Sequence, residues 1–103
     1  CGGIRAAMSP HDVGLADNWL RPITELTRQH HIFLDGFKDQ KLKHELLCRA
    51  NVYQQVSNVA ATTILQQAWS QSNHVEVHGL IFNVANGLLE DLDLRVAQNE
   101  DLK

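Results

Sequence analysis

Long apolar runs are missing from this sequence. Nowhere does it carry the roughly 20 consecutive apolar residues that a membrane-spanning helix needs, so no membrane is expected as partner. An excess of basic charge is missing too. Nine Lys and Arg against 12 Asp and Glu give a net charge of −3 at pH 7. That balance offers nucleic acid or an anionic lipid surface no electrostatic footprint, and neither is expected. Cysteine is scarce: Cys1 and Cys48 are the two in 103 residues. Two cannot build a disulfide framework, and free thiols in a reducing, cytoplasmic compartment fit better. There is no Gly-rich phosphate loop and no Gly-x-Ser-x-Gly elbow, which removes the usual signatures of nucleotide hydrolysis and serine-type acyl transfer.

What is present suits one small domain, or most of one. A helical segment is predicted over residues 1–8, stopped by Ser9-Pro10. Leu15, Trp19, Ile23, Leu26 and His30 recur at helical spacing. Pro22 interrupts that pattern, so the helix is predicted to begin near Asp17 or Asn18 or to kink at Pro22. Gly36 closes this region. A long helix is predicted from about Asp39 to Ala60, with Leu42, Leu46, Tyr53, Val56 and Ala60 on one face and Leu47 and Ala50 beside it. Thr62 or Thr63 is placed to cap a short helix through Ile64, Leu65, Ala68 and Trp69.

After Asn73 the period changes. Val75, Val77, Gly79 and Ile81 alternate with Glu76, His78, Leu80 and Phe82 as in a strand, and the run from Gly79 to Phe82 is apolar on both faces. Asn86-Gly87 predicts a tight hairpin turn, and Leu88, Leu89, Leu92 and Leu94 a returning antiparallel strand. Residues 98–103 read as a polar, frayed tail. The predicted architecture is largely helical with a C-terminal β-hairpin. A strand apolar on both faces needs neighbours that these 103 residues do not supply, and the chain opens on Cys1 rather than Met. Both features lead to the expectation of a missing N-terminal portion.

Chemistry concentrates at the start. Cys1-Gly2-Gly3 sets a thiol at a helix entrance, where thiolates are favoured as metal ligands or nucleophiles, and the glycines permit close approach to the backbone. Tight packing of the glycines is another use, and the two uses are compatible. Cys48, on the long helix, reads as a core thiol. The six histidines, His11, His30, His31, His44, His74 and His78, read as surface or hydrogen-bonded structural residues, with His78 the one expected to be buried. On an extended strand His74 and His78 would stand about 13 Å apart, too far to share one zinc. Asp12 reads as a surface or capping carboxylate ahead of a proton-shuttling one. Trp19 and Trp69 read as core or subunit-contact aromatics.

Several stretches together carry a family resemblance. Cys1-Gly2-Gly3-Ile4-Arg5-Ala6-Ala7 looks like the second half of a His-x-x-Cys-Gly-Gly motif, and Gly14-Leu15-Ala16-Asp17-Asn18-Trp19-Leu20 like the helix after it. Asn51-Val52-Tyr53-Gln54-Gln55-Val56-Ser57-Asn58, Val77-His78-Gly79 and Asn86-Gly87-Leu88-Leu89 follow in family order. In that order and spacing the chain resembles the C-terminal part of β-class carbonic anhydrases.

The resemblance implies an α/β fold, a mostly parallel sheet flanked by helices, with residues 1–103 as the later part of a single domain. It implies a homodimer or homotetramer and a zinc cofactor held by two cysteines and a histidine. Cys1 is then a metal ligand and Gly2 a substrate-binding residue. The Asp–Arg catalytic pair and the other ligands are expected upstream, leaving no catalytic residue in this chain. The implied reaction is reversible hydration of carbon dioxide to bicarbonate. Two other readings keep the fold: hydrolysis of carbonyl sulfide or carbon disulfide, and a non-catalytic assembly or binding subunit. Phe82 stands where some relatives use a Tyr to bind inhibitory bicarbonate. Without the hydroxyl that site is doubtful.

Overall fold

The computed structural model describes residues 1–9 and the backbone of 13–102, with the Leu102 side chain left aside. Pro10, His11 and Asp12, with the sequence expectations attached to them, lie outside the described residues. In order come α1 (Gly2–Met8), α2 (Ala16–Gln29), α3 (His31–Asp35), α4 (Gln40–Ala60), α5 (Thr63–Ser70), β1 (Val77–Asn83), β2 (Leu88–Val96) and a 3-10 turn at Asn99–Leu102. None of the described helices is long and apolar enough to cross a membrane. The chain divides into two compact units, Cys1–Asn51 and Val52–Lys103, with α4 passing from one into the other.

In the first unit, Ile4, Leu26, Leu34 and Leu47 form the core, with Met8, Ile23, Leu46, Cys48 and Ala50 packed against it. The thiol of Cys48 is therefore a core group, as its neighbours in sequence suggested. The α2 face differs in part from the expected one. Leu20 and Leu26 are buried, while Leu15 is 89% and Trp19 74% exposed and His30 is also exposed. Ile23 and Leu26 of the expected face do pack with Ile4 of α1, while in the first turns Leu20 is buried in place of Leu15 and Trp19. Trp19 is thus no core residue. The helix starts at Ala16 and continues through Pro22. Two histidines close it: His30 Nδ1 donates to the Leu26 carbonyl at 2.9 Å and His31 Nδ1 to that of Arg28 at 2.8 Å, satisfying carbonyls that a helix end leaves open.

In the second unit, Val56, Ala60 and Val96 are buried, with Val52, Trp69 and Val77 against them. Tyr53, expected on the buried face, is exposed: the helix turns Val52, Val56 and Ala60 inward, and position 53 falls to the side. Thr62 is the cap of α5, its hydroxyl accepting the Leu65 N–H at 3.4 Å. Trp69 Nε1 donates to the Val75 carbonyl at 3.0 Å, so this aromatic is both packed and polar-satisfied.

The two strands pair antiparallel from Val77↔Val96 to Asn83↔Leu88, with the register shifting between Gly79 and Leu80. Leu92 and Asp93 are the extra residues on β2. Asp93 takes a left-handed φ of 57°, and its N–H is held by Asp91 Oδ1 at 2.9 Å, a bulge that bends the strand. The turn is longer than the predicted Asn-Gly pair. Residues 84–87 form the loop, Gly87 takes φ 72°, and its N–H donates to the Asn83 carbonyl at 2.8 Å. Gly79 is required by contact: a Cβ there would lie 2.9 Å from Leu94 Cδ1 and 3.0 Å from Val52 Cγ1. The other strand face is open, with Leu80 43% and Phe82 57% exposed. Within the predicted frayed tail, Asn99–Leu102 form a 3-10 turn. Asp101 Oδ2 accepts the Ala97 N–H at 2.8 Å, and Gln66 Nε2 donates to Asn99 Oδ1 at 2.7 Å.

Candidate metal and substrate site

Cys1 is the N-cap of α1, and its side chain caps nothing. Its carbonyl accepts the Arg5 N–H at 3.1 Å, the first bond of the helix. The thiol is free and exposed. Gly2 and Gly3 follow, and the described residues surround them loosely. A Cβ at Gly2 would meet nothing within 4 Å, and one at Gly3 would meet Leu20 Cδ2 at 3.5 Å and Cys1 Sγ at 3.7 Å, ordinary contacts. Among the described residues nothing fills the space over Gly2.

One more residue fixes this corner. His44, from α4, places Nε2 3.0 Å from the Cys1 carbonyl oxygen and donates to it in the tautomer with Nε2–H. The same ring lies 3.8–4.0 Å from Cys48 Sγ. Burial, then the positive charge of Arg5, holds the His44 pKa below the usual imidazole value, while Glu45 opposes them. Sequence placed His44 among surface or hydrogen-bonded structural histidines. Its link to Cys1 spans 43 positions and has no local signature.

The remaining histidines gather elsewhere. His74 Nε2 and His78 Nε2 lie 3.8 and 3.6 Å from the same Glu76 Oε2. His74 lies just before β1, which begins at Val77, and the two rings reach the carboxylate from either side of it in sequence. His78 is exposed, not buried, since it shares the open strand face with Leu80 and Phe82. Glu76 also accepts from Arg95 Nε of β2. Its pKa is held below the ordinary carboxylate value, chiefly by that hydrogen bond, then by the charge of Arg95 and by His78 and His74, against the effect of burial.

Zinc sites use four donors, typically Cys, His or carboxylate. Cys1 offers one unobstructed donor of the right chemistry. Among the described residues no group of three or more His, Cys, Asp or Glu could hold a metal ion. The residues present therefore fit zinc as one ligand and do not make a zinc site by themselves.

The family model described as carbonic anhydrase matches residues 1–89. A carbonic anhydrase of Emericella nidulans is 36% identical over 94 residues, 91% of this chain and 41% of that protein. The Coccomyxa β-carbonic anhydrase, solved in complex with acetazolamide, superposes with a TM-score of 0.88 at 27% identity, covering 98% of this chain and 46% of that one. A tetrameric β-carbonic anhydrase of Sordaria macrospora gives a TM-score of 0.84 at 26% identity over 94% of this chain and 49% of that one. This chain belongs to the carbonic anhydrase family, β class, and spans between two fifths and half the length of these relatives.

Proposed function

We propose that the protein containing this chain is a zinc-dependent carbonic anhydrase, with Cys1 as one zinc ligand and the other ligands supplied by polypeptide outside these 103 residues. The observation that carries this reading is the exposed, uncommitted Cys1 thiol at the entrance of α1, inside the segment matched by the family model. When bound, zinc would supply a hydroxide nucleophile at neutral pH by lowering the pKa of its water to about 7. This chain's residues hold and orient. Cys1 gives a charged sulfur donor, and the His44 hydrogen bond fixes the Cys1 backbone from α4. Gly2 leaves its backbone approachable on the substrate side, which supports its assignment as the residue that binds bicarbonate or carbon dioxide. Phe82 carries no hydroxyl, so regulation by bicarbonate through that position is not part of the proposal.

The protein is proposed to act as a homo-oligomer. The solved Sordaria macrospora relative is tetrameric, and Trp19 at 74% and Leu15 at 89% exposure leave a large apolar surface on α2. Zinc analysis and a carbon dioxide hydration assay on the complete protein test the activity. Stoichiometric zinc and a rate well above buffer are expected. Absence of zinc together with a buffer-level rate would overturn the reading.

A further inference from the structure

A cavity of about 470 Å³ opens in the first unit, lined by Arg5 and Met8 of α1, by Ser9, and by Gln40, Lys41 and His44 of α4. Arg5 and Lys41 are exposed cations, and neither side chain has an ion-pair partner among the described residues. The start of α4 does not supply the attraction, because Asp39 Oδ1 already accepts the Lys41 backbone N–H at 2.9 Å. The positive charge comes from the two side chains, and the field of Arg5 reaches across to the His44 ring.

We propose that this cavity binds a small phosphate-bearing ligand, its phosphate group lying between Arg5 and Lys41. Two fixed cations favour a dianion over a monoanion. A guanidinium forks onto phosphate oxygens in bidentate geometry while an ammonium contributes a point charge. The volume lies within the roughly 300–1,000 Å³ range of small-molecule pockets, leaving space beyond a phosphate group for an organic body against Met8 and Gln40. Cys1 does not line the cavity, although His44, which does, is hydrogen-bonded to the Cys1 carbonyl; ligand binding is therefore read out directly, without catalysis.

The test titrates the complete protein, in chloride buffer, with inorganic phosphate, phenyl phosphate and acetate, following heat or phosphorus resonance. Saturable one-site binding is expected, tighter for the phosphates than for acetate and weakened by added salt. Arg5→Gln and Lys41→Gln should each weaken it by about tenfold, the usual cost of one charge-assisted contact. Both residues are exposed, so the variants should retain the fold, checked by their melting temperatures. Equal affinity for acetate, unchanged affinity in both variants, or no saturable binding because a partner subunit covers the cavity would each overturn the proposal.

Discussion

Cys1 and Gly79 are two residues whose replacement has opposite consequences. Cys1 contributes its exposed thiol and nothing to a packed core. Cys1→Ser in the complete protein should leave the melting temperature of the metal-free form nearly unchanged and abolish stoichiometric zinc, read by metal analysis, and hydration activity with it. Retained zinc would contradict its role as ligand. Gly79 contributes no chemistry and is fixed by space. Gly79→Ala would press a methyl against Leu94 and Val52, and overpacking of this kind costs roughly 1–3 kcal/mol. Urea unfolding should show that loss. The role proposed for Cys1 comes from sequence, because its neighbours carry the motif. The requirement at Gly79 does not, since Val52 and Leu94 reach it only through the fold.

At the scale of elements, the hairpin is held by an ionic cluster as well as by its ladder. Glu76 bridges to Arg95 across the strands and receives His74 and His78 from its own segment. Its carboxyl titrates below the usual value in the folded state. A carboxylate depressed in this way stabilises the fold above its unfolded pKa, and that contribution is lost as pH falls through the lower folded value. Thermal stability should therefore drop on acidification below about pH 4, and Glu76→Gln should flatten that part of the profile. An unchanged profile would show that the cluster is decorative. The helices and strands themselves were largely legible. The long helix, the Thr62 cap, the strand pair and its antiparallel return followed from period and turn residues. The bulge at Asp93, the four-residue turn and the 3-10 turn in the tail were not legible, because each depends on hydrogen bonds set by register: Asp91 to Asp93, Asn83 to Gly87 and Gln66 to Asn99.

At the scale of the molecule, two small cores and a two-stranded sheet leave much apolar surface in the open, including Trp19, Phe33, Phe82 and Leu89. An isolated hairpin is marginal in water, and an unpaired apolar strand edge invites association. The 103 residues expressed alone should bind no zinc, show no hydration activity and aggregate at micromolar concentration. A monomer with cooperative unfolding, seen by light scattering and calorimetry, would contradict this. In the complete protein, Trp19→Glu should lower the oligomeric state measured by light scattering if α2 forms a subunit contact, because a charge would then be buried there.

Sequence by itself determined the family, most of the helices, the hairpin and the place of the thiol proposed to bind zinc. Each of these rests on local spacing: a motif, a period or a capping residue. Tertiary structure decided which side of α2 is buried, that Tyr53 and His78 face outward, that His44 anchors the Cys1 backbone from 43 positions away, and that Arg5 and Lys41 share a cavity. Those outcomes depend on which elements meet. A 3.6-residue period admits several apolar faces differing by one residue's rotation, and the packing partner selects one of them.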